Sequence, residues 1–215
     1  MNRILKAEIK IPLVDRVIEQ LRGAISSGKI PAGERLIECE IAEHMQVSRN
    51  AVREAFRSLE KEGFVTITPF KGAHVTIHTK QEIAQMFEVM GVLEGMSVML
   101  AIRNLTPERL AELDALHEAL EKQYAANEPQ KYLQANWKFH EAVKQIAGND
   151  ILTKIFTELQ QKTSIYRTWQ LSKPNRFKAS IEEHRLIMDA FHKKDPVLGE
   201  VRMREHLMRQ SESLM

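Results

Sequence analysis

Val14, Val17, Ile18, Leu21 and Ile25 recur at helical spacing, which predicts a first amphipathic helix ending near Ser27. GKIPAG, residues 28–33, then breaks it with a turn. A short second helix follows over Glu38 to Met45, with Ile41 and Ala42 facing inward. Ser48 is a good N-cap for a third helix reaching about Glu62, and Gly63 supplies its stop. In FVTITPFKGAHVTIH, residues 64–78, the period changes to two. Val65, Ile67, Val75 and Ile77 alternate with polar residues around PFKG, which predicts a two-stranded hairpin.

After His78 every segment reads as helix. Thr79 with Glu82 forms a capping box that opens a long helix to about Arg103. Thr106-Pro107 opens the next, to about Ala126, and Pro129 opens one that stops at Gly148. Three more run from Ile151 to Leu171, Asn175 to Lys194, and Pro196 to the end. The expected fold is mainly α, with a winged helix-turn-helix over residues 1–78 and an antiparallel helical bundle over 79–215.

Composition narrows the class. The 215 residues are 43% hydrophobic and 28% charged, enough for a sizeable core. Aromatics at 6% and ten methionines favour helices over a β-sandwich. No run approaches the ~20 continuous apolar residues of a membrane span, and the charged opening MNRILKAEIK lacks the apolar stretch of a signal peptide. Cys39 is the single cysteine, so an intrachain disulfide is impossible. These features predict a cytoplasmic protein with no membrane partner.

Net charge is +2, and residues 1–78 hold all of the excess, with 12 Lys/Arg against 10 Asp/Glu. So small an excess makes placement decisive. On the third helix Val52, Ala55, Phe56 and Leu59 make the buried stripe, while Arg49, Arg53 and Arg57, four apart, share the outer face. Asn50 sits beside Arg49 in the first turn. The first turn of such a helix meets base edges in the major groove, where Arg pairs two-pronged with guanine and Asn with adenine. Arg49 and Arg53 are therefore expected at or near the bases. Lys71 and His74 flank Gly72 at the hairpin tip, where the small residue lets the backbone approach the minor groove or the phosphates, and Lys71 is expected on phosphate. The partner predicted is double-stranded DNA.

The helical part carries a second pattern. Leu133, Asn136, His140, Val143 and Ala147 follow one face, His184 lies between Ile181 and Met188, and His206 shares a face with Met203 and Gln210. Three histidines on three helices thus point inward. Buried imidazoles need partners, costing ~1–3 kcal/mol each without them. Either each finds a local hydrogen bond, or all three share a divalent Zn, Ni, Mn or Fe ion. His44, His117 and His192 show no such pattern. Glu141 and Glu183 adjoin two of the histidines in sequence, but a helix directs neighbours differently. A metal-dependent hydrolase would thus lack a general base. A structural metal and a metal sensor stay open.

PAGERLIECEIAEHMQVSRNAVREAFRSLEKEG, from Pro31 to Gly63, resembles the DNA-binding domain of the GntR family, with its Pro-x-Gly turn, VSRNAVREA opening and LEKEG close. That resemblance implies a regulator, repressor or activator, which binds a palindromic operator as a homodimer. It departs at Cys39, where some members carry a DNA-touching Arg. EVMGVLEGMSVMLA, NWKFHEAVKQIAGNDIL, SIEEHRLIMDAF and MREHL resemble the FadR-type C-terminal domain in its metal-containing branch. This second resemblance implies Asn136, His140, His184 and His206 as metal ligands and a small-molecule effector, an organic acid or carboxylate. Asn136 stands where the branch usually has Asp, and Met90 where acid-binding members often carry Arg. Arg103 and Arg167 are the candidate cations for a carboxylate instead.

Overall fold

The computed structural model describes residues 13–171 and 175–214, except the side chains of 164, 165 and 167–171. It divides into two compact units, Met1–Ile77 and His78–Met215.

The first unit holds α1 (Leu13–Ser26), β1 (Arg35–Leu36), α2 (Glu38–Met45), α3 (Arg49–Lys61), β2 (Val65–Thr68) and β3 (Gly72–Val75). Helix α3 buries Val52, Ala55, Phe56 and Leu59 against α1's Val17, Ile18, Leu21 and Ile25 and the neighbouring apolar side chains. Each of these side chains larger than alanine contributes roughly 1.5–3 kcal/mol. Gln46, in the left-handed region at φ 53°, ends α2, and the Ser48 hydroxyl accepts the Ala51 N–H at 3.2 Å to start α3. Arg22 of α1 clasps the Glu62 carboxylate just past the end of α3 with two bonds of 2.9 Å. Arginines on the outer face of α3 are thereby held on a rigid element.

The sheet has three strands in the order β1-β3-β2, all antiparallel. The two-residue β1 was not expected, because two residues carry no periodic signal. The hairpin's inward set also differs from the alternation read in the sequence. Val65 and Val75 face each other and are buried, but Ile67 and Ile77 are exposed, and Ala73, opposite Ile67, takes the inner place. Ile67 keeps its backbone N–H on the Glu60 carboxylate of α3 while its side chain stays at the surface.

The second unit holds α4 (Lys80–Arg103), α5 (Pro107–Ala125), α6 (Pro129–Ala147), α7 (Asp150–Leu171), α8 (Arg176–Lys193) and α9 (Pro196–Glu212). Thr79 and Glu82 form the reciprocal capping box, and Thr106 caps α5 through the Arg109 N–H. Helix α4 is the centre of the bundle. By length and composition it is apolar enough to cross a membrane, but Ile83, Phe87, Met90, Val98, Ala101 and Ile102 are its buried core positions. It packs antiparallel to α9 at glycines: Gly91 against Leu207, Gly95 against Glu200, and Gly199 against Val98 and Ile102. Asn104 then ties the end of α4 to α6, donating to the Ile146 and Ala147 carbonyls at 3.1 Å.

Candidate functional site

Helices α6, α8 and α9 bring His140, His184 and His206 together inside the second unit. All three are buried, and one ligand atom from each lies within 4.8 Å of the others. Ring centroids are 4.8–5.6 Å apart. Phe139 meets His184 edge-on at 5.1 Å and holds its ring in place.

Two of the imidazoles are backed by carboxylates. His140 Nδ1 donates to Glu94 of α4 at 2.7 Å, and His206 Nδ1 donates to Glu183 of α8 at 2.6 Å. Each bond places the proton on Nδ1 and leaves the Nε2 lone pair for another partner. On His206 that lone pair accepts the Gln210 amide at 2.6 Å. His140 Nε2, both nitrogens of His184 and Asn136 Oδ1 are buried and meet no hydrogen-bond partner among the described residues. Asn136 lies one turn before His140 on the same face of α6. Three orphaned imidazole nitrogens in one cluster, with a buried amide oxygen one turn away on α6, cost too much to be an ordinary core.

Charge and protonation agree with a cation-accepting centre. Burial, with His206 and His140 adding to it, holds His184 well below the ordinary histidine pKa. Burial also lowers His206, despite the opposing pull of Glu183. For Glu183 burial acts upward, but the bonds from His206 and Arg176 outweigh it and keep the carboxyl below its usual value. Arg176 grips Glu183 with two bonds of 2.8 and 2.7 Å, and both side chains are buried. The arginine neutralises one carboxylate, and Glu94 brings a second into the site.

The sequence reading missed Glu94, Glu183 and Arg176 as members of this centre. Glu183 does turn away from His184, its neighbour in sequence, but it turns toward His206 and so belongs to the site. Glu141 instead pairs with Lys144. A signal for Glu94 existed, since it stands between Met90 and Val98 at four-residue spacing in a buried stripe. Arg103 is not at this centre. It is exposed at the last position of α4, nine residues and ~13 Å of helix beyond Glu94. The Arg167 side chain lies outside the described residues. Met90 is fully buried, and its sulfur accepts the Thr163 hydroxyl at 3.5 Å.

In the first unit Arg49, Asn50, Arg53 and Arg57 are all exposed along α3, as are Lys71 and Gly72 at the hairpin tip, while His74 is half-buried on β3. Arg53 is not idle there. Glu38, the first residue of α2, receives two bonds from its guanidinium at 3.2 and 2.8 Å. Glu38 is held below the usual carboxylate range by that bond. The pair fixes the direction of the Arg53 side chain across the turn between α2 and α3.

The profile for bacterial regulatory proteins of the gntR family matches residues 13–75, and the FCD domain profile matches residues 85–209. The chain belongs to the GntR family. It is 26% identical over 210 residues to the HTH-type transcriptional regulator YdhC of Bacillus subtilis (strain 168), covering 97% of this chain and 94% of that one. It is 27% identical over 201 residues to the galactonate operon transcriptional repressor of Escherichia coli (strain K12), over 84% of this chain and 87% of the repressor. Among solved structures, E. coli McbR/YncC matches with a TM-score of 0.76 at 25% identity, over 95% of this chain and 98% of its own. This GntR-family chain is accordingly a transcription regulator and not an enzyme.

Proposed function

We propose that this GntR regulator is a homodimeric, metal-containing repressor whose operator affinity responds to a carboxylate effector bound beside the buried histidines. The observation that carries the metal assignment is the histidine centre. Three imidazoles from three helices converge, two of them oriented by carboxylates, with Asn136 Oδ1 orphaned beside them. His140, His184, His206 and Asn136 would hold the ion, Zn, Ni, Mn or Fe. Its role is to offer open coordination positions to an oxygen ligand. Gln210 would give up the His206 lone pair to a bound ion. The amide oxygen of Asn136 attracts a cation less than a carboxylate does, and Glu94 restores negative charge nearby.

The effector class rests on the same chemistry and on likeness to a relative named for the galactonate operon. Arg176, the buried guanidinium of this region, is committed to Glu183, which favours the ion itself as the carboxylate's anchor. An effector shifts DNA binding only through unequal affinity for the DNA-competent and DNA-incompetent arrangements. On the DNA side, Arg49 and Asn50 face base edges, Arg53 reads at or near the bases in the direction set by Glu38, and Arg57, Lys71, Gly72 and His74 meet the backbone.

Metal content per chain, measured on protein purified without chelator, tests the centre. Near-stoichiometric metal that is lost in His184→Ala is expected. No metal in either protein would reduce the histidines to core or direct effector contacts. Arg49→Ala tests the other unit, with an expected loss of about 1–3 kcal/mol of operator binding and relaxed preference at one base pair.

The completeness of burial favours a second reading, in which the ion chiefly holds α6, α8 and α9 together. His184 and His206 are 0% exposed. Melting of the second unit on chelation, with no effect of carboxylates on DNA binding, would select it.

A further inference from the structure

The tip of the β2–β3 hairpin is built against local preference. The Lys71 N–H reaches back to the Thr68 carbonyl at 3.1 Å, so Thr68, Pro69, Phe70 and Lys71 form a β-turn. Pro69 occupies its second position, where a fixed φ suits the turn. Phe70 occupies the third, with φ at +65°. Positive φ at that position calls for Gly or Asn. A bulky aromatic there is strained, and Gly72 two residues later, at φ +87°, shows that the hairpin uses glycine elsewhere.

Phe70 is also fully exposed, the most exposed large apolar side chain among the described residues. It packs on nothing within its own unit that would offset the strain. Strained backbone and a bare aromatic at one residue point to a partner that takes the ring. Lys71 beside it supplies positive charge, and the same hairpin is continuous with α3 through Glu60, whose carboxylate accepts the Ile67 N–H at 3.2 Å.

We propose that Phe70 is an apolar wedge that enters the minor groove of the operator beside the α3 site and partly unstacks one base step there. The proposal rests on the assignment of α3 to the major groove. Grooves alternate along a duplex, and a hairpin projecting past a helix seated in one meets the flanking phosphates and then the other. Aromatic and aliphatic wedges used in this way kink DNA, and they prefer flexible pyrimidine–purine steps such as TA and CA. Lys71 holds the tip on the phosphates while the ring reads deformability, which adds sequence preference without a hydrogen bond to any base.

The test uses the full chain and a duplex selected by it from a random-sequence pool. Phe70→Ala should bind about tenfold more weakly and remove most of the bend seen by phasing electrophoresis, with the salt dependence unchanged because no charge is lost. Lys71→Ala should instead lower the salt slope by about 0.9. With 2-aminopurine at successive flanking positions, one step should brighten on binding the wild type and stay dark with Phe70→Ala. Phe70→Asn, which suits the turn, should raise the melting temperature of the DNA-free protein while losing the same affinity. Wild-type affinity and bending in both Phe70 variants, alongside weakened Arg49→Ala, would overturn the wedge and leave the α3 assignment standing. A fall in melting temperature in both variants would mean the ring packs within the protein, and a pool yielding no preferred sequence would overturn both assignments.

Discussion

Burying an imidazole sets its charge before any ligand arrives. His184 and His206 are both held below the ordinary histidine value, His184 furthest, with loss of water as the leading cause in each. In the unfolded chain both take up a proton near pH 6.5. The metal-free folded protein resists that proton, so below pH ~6.5 the unfolded state binds more protons than the native one. Stability is then full above that pH and declines as pH falls from the unfolded pKa toward the folded one. The limiting slope is about 1.4 kcal/mol per pH unit for each histidine. Urea titrations of chelated protein at pH 7.5, 6.5 and 5.5 should show this decline, and His184→Phe should make it shallower by close to one proton. Equal slopes for the variant and the parent would mean that another group controls acid stability. Both tryptophans of the chain, Trp137 and Trp169, lie in the second unit, so fluorescence follows that unit alone.

Between elements, the contact of α4 with α9 gives two glycines opposite expectations. A methyl group added at Gly199 would sit 2.5 Å from Ile102 Cδ1 and 2.8 Å from Val98 Cγ1. Val98 is stiff and fully buried, so the clash, roughly 1–3 kcal/mol, outweighs the ~1 kcal/mol that Ala gains over Gly in a helix. At Gly91 the nearest atoms are 3.6 Å away, ordinary contact, and the helix preference should win. Gly199→Ala should therefore lower the urea midpoint of the second unit and Gly91→Ala raise it. The reverse order would mean that helix α9 shifts to absorb the methyl group. The elements themselves were largely legible in the sequence, because caps such as Ser48, Thr79 and Thr106 are local and a helical stripe repeats several times over. Strand β1 has no repeat to read, and the exposure of Ile67 is set by tertiary packing that the alternation does not encode. The same distinction divides the histidine centre. Each histidine announced itself inside an apolar stripe, whereas the pairing of Glu183 with Arg176 and His206 joins two helices and leaves no trace in either one's period.

At the scale of the whole molecule, the proposed homodimer needs a face for its second copy, and α4 and α9 carry apolar side chains left uncovered in the single chain. Val89, Val92 and Met96 recur at three- and four-residue spacing on α4 yet remain 39–50% exposed, and Val197 and Val201, four apart on α9, are 66% and 45% exposed. An isologous interface must complement itself. The charges along α9 suit this, since Arg204, Glu205, Arg209 and Glu212 mix both signs on one stretch of surface. Covering side chains that are already about half-buried is worth roughly 1 kcal/mol each, and twofold symmetry counts every one twice. Replacing Val92 and Met96 together by Glu should thus raise the dimer dissociation constant at least about 100-fold. Sedimentation velocity should then give the monomer mass with the fold intact by circular dichroism. Binding to a palindromic duplex should fall to that of a single half-site, because the second reading head is no longer tethered. A variant that stays dimeric would place the contact between copies on another face, and one that is monomeric yet binds the palindrome undiminished would separate dimerisation from operator reading.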